Sequence, residues 1–327
     1  MKRILAGLLA AVIALAGVGC SGNTKNSDNK VVIYSGAEEY RNEYFQKRLN
    51  EKFPEYEIKV EYMPTGNLAA KLLAEGTSVS CDVAYDIESG YVDKLQNMLA
   101  DLSSYDMSVF SEDLLEPTKK VLPEVRNGGC IAINPEVLAS ENLPEPTSYE
   151  DLLKPEYKGL ISMPSPKSSG TGYMFLKNLV NAWGEEEAFA YFDKLAENVP
   201  QFTSSGSGPV NALVQKEAAI GLAMTAQTVT EINNGANLKI LFFEEGSPYS
   251  TYYYGMIKGR ETREAVKKVF DFFYTDLVKE DKQNFFPEKI YKDQDFTIEN
   301  YPTNIVYGDM SNNTAAEKER LLEKWDH

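Results

Sequence analysis

Apolar residues along this chain gather in short runs, and between the runs they recur at helical spacing. Val31-Val32-Ile33-Tyr34 is β-branched and aromatic and reads as a strand, with Ser35-Gly36-Ala37 as the turn after it. Tyr40, Tyr44, Phe45 and Leu49 then fall on one face and predict a helix over 38–50. Strands at 56–62 and 82–87 flank a helix at 67–75, and Pro64-Thr65-Gly66 closes the first of them. The theme returns further on, with strands at 130–134, 160–163 and 219–223 and helices at 172–183, 185–197 and 228–234. Thr147 to Leu153 has the capping pattern of a short helix, and 210–215 is a second short one. Apolar residues at 238–243 lead back through 252–257 to an amphipathic helix at 263–273, and the tail beyond reads as irregular. Strands alternating with helices throughout imply an α/β fold with a layered sheet.

The first residues set the compartment. Lys2 and Arg3 precede an uncharged apolar run from Ile4 to Val18, which ends at Gly19-Cys20 and a polar stretch. That run is shorter than the roughly 20 residues a spanning helix needs, so residues 1–19 read as a signal peptide. A cysteine closing the run resembles a bacterial lipobox. The lipobox pattern puts a leucine-like residue three positions earlier, where this chain has Gly17. The resemblance implies lipid on Cys20 and a protein anchored to the outer face of a membrane. Residues 20–30 carry almost no apolar side chain and read as a tether.

Charge and composition then narrow the chemistry. With 49 acidic against 33 basic residues the net charge is −16, which disfavours nucleic acid and anionic membrane surfaces as partners. Cys81 and Cys130 each sit in an apolar run and read as buried free thiols, with a disulfide between them the alternative in an exported protein. The single histidine is His327, so Ser-His-Asp and Cys-His catalysis and histidine-rich metal sites have no candidates.

Four stretches, in order, resemble the type II periplasmic-binding-protein fold, in the cluster with ferric-ion, phosphonate and sugar-phosphate binding proteins. They are Val31 to Glu38, Pro146 to Leu153 with Tyr157-Lys158-Gly159, Ser168 to Tyr173, and Glu217 to Leu222. The resemblance implies two lobes with a ligand cleft between them and two extended hinge crossings, near Arg126-Asn127-Gly128 and Tyr252-Tyr253-Tyr254. Lobe one would comprise 30–127 and 256–327, and lobe two 128–255. It also implies a monomeric, non-enzymatic receptor without a cofactor, serving an ABC permease and its ATPase.

The candidate site follows from donor chemistry. Lys167-Ser168-Ser169-Gly170-Thr171 precedes a helix, where hydroxyls and free backbone N–H groups converge on an anion. Thr203-Ser204-Ser205-Gly206-Ser207 precedes another, and Ser35-Gly36-Ala37 follows the first strand. These turns suit phosphate or phosphonate, with Lys167 or Arg126 adding positive charge. The same residues are also what ordinary helix caps look like. Thr65 follows the second strand, and Thr225 and Gln227 offer neutral polar groups. Glu38, Asp86 and Glu88 would face an ammonium on the solute, as in an aminoalkylphosphonate such as 2-aminoethylphosphonate; a sugar phosphate fits the same donors.

Iron is the tempting alternative because of Tyr252-Tyr253-Tyr254. Ferric-ion relatives carry adjacent tyrosines after the segment matching Ala219 to Leu222, and this chain reads Met224-Thr225-Ala226-Gln227 there. Consecutive strand residues also point to alternate faces, so the three cannot share one ion. Tyr253 is expected as a hinge aromatic walling the pocket, and no metal site is assigned. An organic-cation receptor for thiamine or a polyamine is the other binding alternative. An exported hydrolase using Glu38 and Asp86 is the rival of a different class, distinguishable by turnover of phosphate esters.

Overall fold

The computed structural model describes residues 28–327. The signal segment, Cys20 and most of the tether lie outside the described residues. The chain opens with β1 (Lys30–Ser35), α1 (Glu39–Lys52), β2 (Glu57–Tyr62), α2 (Thr65–Glu75), β3 (Val83–Glu88) and α3 (Ser89–Leu95). Next come β4 (Leu122–Ile133), α4 (Pro135–Ser140), β5 (Ile161–Ser162), α5 (Gly170–Trp183) and α6 (Glu185–Leu195). Then follow α7 (Gly208–Val214), β6 (Ile220–Met224), α8 (Thr225–Asn233), β7 (Lys239–Leu241) and β8 (Tyr249–Met256). The tail holds α9 (Glu264–Phe272), a π turn at Phe273–Leu277, α10 (Val278–Asn284) and α11 (Ala315–Glu323).

The strands lie in the order β2-β1-β3-β8-β4-β6-β5, with β7 on β4. Side-chain alternation builds a core on each face of the first half. Val31 and Ile33 of β1 point to one core with Phe45, Tyr85, Tyr254 and Phe270, while Val32 and Tyr34 point to the other with Leu68, Leu72 and Tyr253. In the second half Ile131 and Ile133 of β4 join Phe175, Phe192, Ile220 and Leu222, and Cys130 and Ala132 join Val210 and Leu213. Two lobes result, each an α/β layer with its own cores. Cys81 and Cys130, both buried as free thiols, belong to different lobes.

Two strands join the lobes. The twelve-residue β4 pairs antiparallel with β8 over Leu122 to Gly128, with one register shift, then passes directly to β6 over Gly129 to Ile133. Its first half was not apparent in the sequence. Pro123, Glu124, Asn127 and Gly128 are poor strand formers, and pairing with β8 overrides them. The segment at Thr147 is a 3-10 turn at Glu150–Leu153, because Asp151 turns back to accept from the Thr147 hydroxyl at 2.8 Å.

The tail departs most from expectation. The family resemblance implies that 256–327 belong to lobe one, and residues of α9 and α10 and Ile290 do lie in its core. The chain then crosses over. Tyr301 lies beside Val125 and Tyr252, Ser247 bridges Tyr307, and Met310, Leu321 and Trp325 enter the second lobe's core. Trp325 is fully buried, edge-on to Phe192 at 5.3 Å and Phe202 at 5.5 Å, which gives α11 an apolar seat only lobe two offers.

Candidate functional site

Between the lobes lies a cleft of about 1620 Å³. Its floor is the β3–β8–β4 ribbon, and there the pairing is irregular. Asp86 is an extra residue in β3, opposite the step from Tyr254 to Tyr253. Glu124 is an extra residue in β4, opposite the step from Tyr253 to Tyr252. Bulges of this kind re-aim side chains at the cost of ladder bonds. Asp86 takes φ 69°, a left-handed conformation that non-glycine residues rarely hold. The shift also settles the tyrosines. Tyr252 faces the cleft, whereas Tyr253 points through the sheet into a lobe-one core, so Tyr253 does not wall the pocket as expected.

The two donor-rich turns of lobe two come together at this floor. Ser168, Ser169, Gly170 and Thr171 line one side, and Ser204 to Ser207 another. A Cβ on Gly206 would collide with the Thr171 hydroxyl and stand 3.3 Å from that of Ser169, so the turns are in direct apposition. Ser169 also caps α5, its hydroxyl accepting from the Gly172 N–H at 3.5 Å. Capping and cleft lining are thus combined in one residue. The Ser205 and Ser207 hydroxyls are 2.9 Å apart, and Gln227 donates to the Ser207 carbonyl at 3.3 Å while lining the cleft.

On the lobe-one side Glu38, Thr65, Asp86 and Glu88 line the cleft. The first two acids differ sharply in their partners. Glu38 pairs with Arg41 at 3.1 Å, and that guanidinium also holds Glu124 and, at 2.8 Å, Asp281. With three carboxylates around it, Arg41 offers no positive charge to a ligand even though it lines the cleft. Asp86 accepts the Thr65 hydroxyl at 3.0 Å and makes no ion pair among the described residues, although the charge of Arg41, itself held by three carboxylates, reaches it. Burial, with Glu124 nearby, pushes its carboxyl well above the usual carboxylate range. Glu88 is paired with Lys318 of α11.

Several nominated residues fall outside the cleft lining. Ser35 is fully buried, its hydroxyl accepting from the Ala37 N–H at 3.2 Å, and the Ala37 carbonyl accepts from Asn42. That turn is closed on itself, so it presents no donors. Thr225 is fully buried at the start of α8 and does not line the cleft. Arg126 pairs with Asp113 and lies between the rings of Tyr249 and Tyr307, at 5.1 and 4.9 Å, so it is not a cleft cation. Lys167 lines the cleft but is exposed. Sequence reasoning missed Tyr252, Arg41, Asn127 and Lys318. The facing of β8 and β4, the docking of α1 and the path of the tail bring them there. Among the described residues, no group of three or more His, Cys, Asp and Glu could hold a metal ion, and no helix is long and apolar enough to cross a membrane.

Two α/β lobes, a continuous double-strand hinge and a polar cleft between them define a solute-binding clamp. Residues 83–303 match the bacterial extracellular solute-binding proteins, and the chain belongs to that family. It is 28% identical over 274 residues to an uncharacterised protein of Haemophilus influenzae, covering 80% of this chain and 78% of that one. Its fold is similar to the periplasmic binding protein AfuA of Actinobacillus pleuropneumoniae with fructose-6-phosphate bound, at TM-score 0.79 and 23% identity over 90% and 97% of the two chains. It is also similar to iron-bound HitA of Pseudomonas aeruginosa, at TM-score 0.75 and 17% identity over 90% and 98%.

Proposed function

We propose that this protein captures a small phosphorus oxyanion solute, an aminoalkylphosphonate or a sugar phosphate, and delivers it as a monomer to an ABC permease and its ATPase. One observation carries the reading: the apposition of Ser169 and Thr171 with the Ser205–Ser207 turn, in a cleft that also holds Asp86, an acid without an ion-pair partner among the described residues. Neutral hydroxyl and N–H donors at a helix start stabilise a multivalent oxyanion without the long-range field that this acidic protein lacks. Asp86 is the natural partner for an ammonium or hydroxyl at the solute's other end, since Glu38 already has its cation. The fructose-6-phosphate bound to AfuA supports the solute class. Iron is less well served, since only Tyr252 of the three consecutive tyrosines lines the cleft.

Calorimetry with 2-aminoethylphosphonate and fructose 6-phosphate tests the reading. Alanine at Ser169, Thr171 or Ser207 is expected to weaken binding roughly tenfold each, the value of a charge-assisted hydrogen bond. Binding of neither compound by the wild type, or unchanged affinity in all three variants, would refute it. We also propose that lipid on Cys20 anchors the protein outside the cell. Cys20→Ser should then move it from the detergent to the aqueous phase on partitioning, and equal partitioning of the two forms would remove the anchor.

A further inference from the structure

The cleft has a buried cation that comes from the far end of the chain. Lys318 stands one turn into α11, and 5% of it is exposed. Its ammonium lies over the rings of Tyr91 at 4.9 Å and Tyr173 at 4.6 Å, one from each lobe, and bonds Glu88 Oε2. Trp325, just past the end of α11, fixes the helix in the lobe-two core. The ammonium is therefore held in place before any solute arrives, with little side-chain freedom left to lose.

Its location is the start of α5. A Cβ on Gly170 would stand 3.8 Å from Glu88 Oε2 and 2.9 Å from the Tyr252 hydroxyl. The carboxylate oxygen that Lys318 grips thus lies beside the first residue of the helix whose N-terminus offers anion donors. Glu88 occupies the kind of position a solute oxyanion would take. Neither partner is saturated. Glu88 Oε1 is buried without a hydrogen-bond partner, and Lys318 carries three N–H donors. Arg41, by contrast, is saturated by its three carboxylates, and the rim lysines Lys47 and Lys167 are exposed, where solvent and salt screen them.

We propose that Lys318 is a specificity-determining residue that reads the negative charge of the solute's phosphoryl or phosphonyl group, with Glu88 as its resident competitor. The proposal rests on the phosphorus-oxyanion reading above. An incoming oxyanion takes the exchangeable N–H donors of Lys318 and the start of α5, displacing Glu88 from the ammonium.

The test is calorimetry with fructose 6-phosphate and inorganic phosphate on Lys318→Gln, Glu88→Gln and the double variant, alongside thermal melts. Lys318→Gln is expected to weaken both ligands by roughly tenfold or more. Glu88→Gln should tighten both, because it removes the competing carboxylate and leaves the ammonium; a purely structural ion pair gives no such gain. The double variant has no uncompensated buried charge, so its melting temperature should recover while its affinity stays low. Recovery of affinity together with stability, or unchanged affinity in Lys318→Gln, overturns the role of Lys318 alone. Failure of the wild type to bind any phosphorus oxyanion overturns the solute class itself.

Discussion

Asp86 concentrates the conflict between stability and binding in one residue. It holds a left-handed backbone inside a bulge, it is 7% exposed, and its hydrogen bond from Thr65 involves a neutral group. Its carboxyl is raised well above the ordinary 3.8 first by burial and then by Glu124. The folded protein therefore holds this proton more tightly than the unfolded chain. Stability falls as pH rises from about the unfolded value through the raised folded value, and above that the ionised group is a liability. Asp86→Asn keeps the shape and tolerates the left-handed conformation. It should stabilise the protein by about 1–3 kcal/mol, the cost of a buried polar group short of partners. Thermal melts should show the gain larger at pH 8 than at pH 4.5, and 2-aminoethylphosphonate should bind more weakly. Equal melting temperatures at pH 8 would show that the carboxylate costs nothing. The acid itself was visible in the sequence as a strand-end residue. Its extra place in the ladder was not, because a bulge is fixed by what β8 does on the other side.

Among the elements, the regular ones were legible and the long-range ones were not. α1, α5 and α6 show apolar residues at helical spacing, and each was placed within about two residues. α10 was lost because Asp281 and Lys282 are fully buried and break the apolar stripe that betrays a helix. α11 did leave a trace. Thr314 caps it, accepting from the Glu317 N–H at 3.2 Å, and Thr-x-x-Glu is a readable start signal. Nothing local says that its end packs in lobe two. There Trp325 closes an aromatic cluster with Phe192 and Phe202, while Arg320 and Lys324 pair with Glu185. The exposed pairs contribute little, and the buried indole contributes most. Trp325→Ala should cost about 3–5 kcal/mol of unfolding free energy in denaturant titrations. A loss below about 1 kcal/mol would mean that α11 is merely draped on the lobe.

For the whole molecule, the strand–helix alternation implied an α/β fold, the resemblance to type II periplasmic binding proteins implied two lobes joined by a hinge, and the structure has both. The site was legible in its chemistry but not in its geometry. Ser169, Thr171 and the Ser205–Ser207 turn stood out as donors, yet their apposition depends on α5 and α7 packing on one sheet. Lys318 lies 230 residues from Glu88, beyond any local pattern. The tail that brings it there also decides when the molecule can exist as a folded object. β8 supplies Tyr254 to the first lobe, and residues up to Ile290 fill that core; the second waits for Met310, Leu321 and Trp325. A chain crossing a membrane N-terminus first therefore has neither lobe complete until almost all of it has passed through. Early segments have no finished core in which to settle, which keeps the chain threadable while it is in transit.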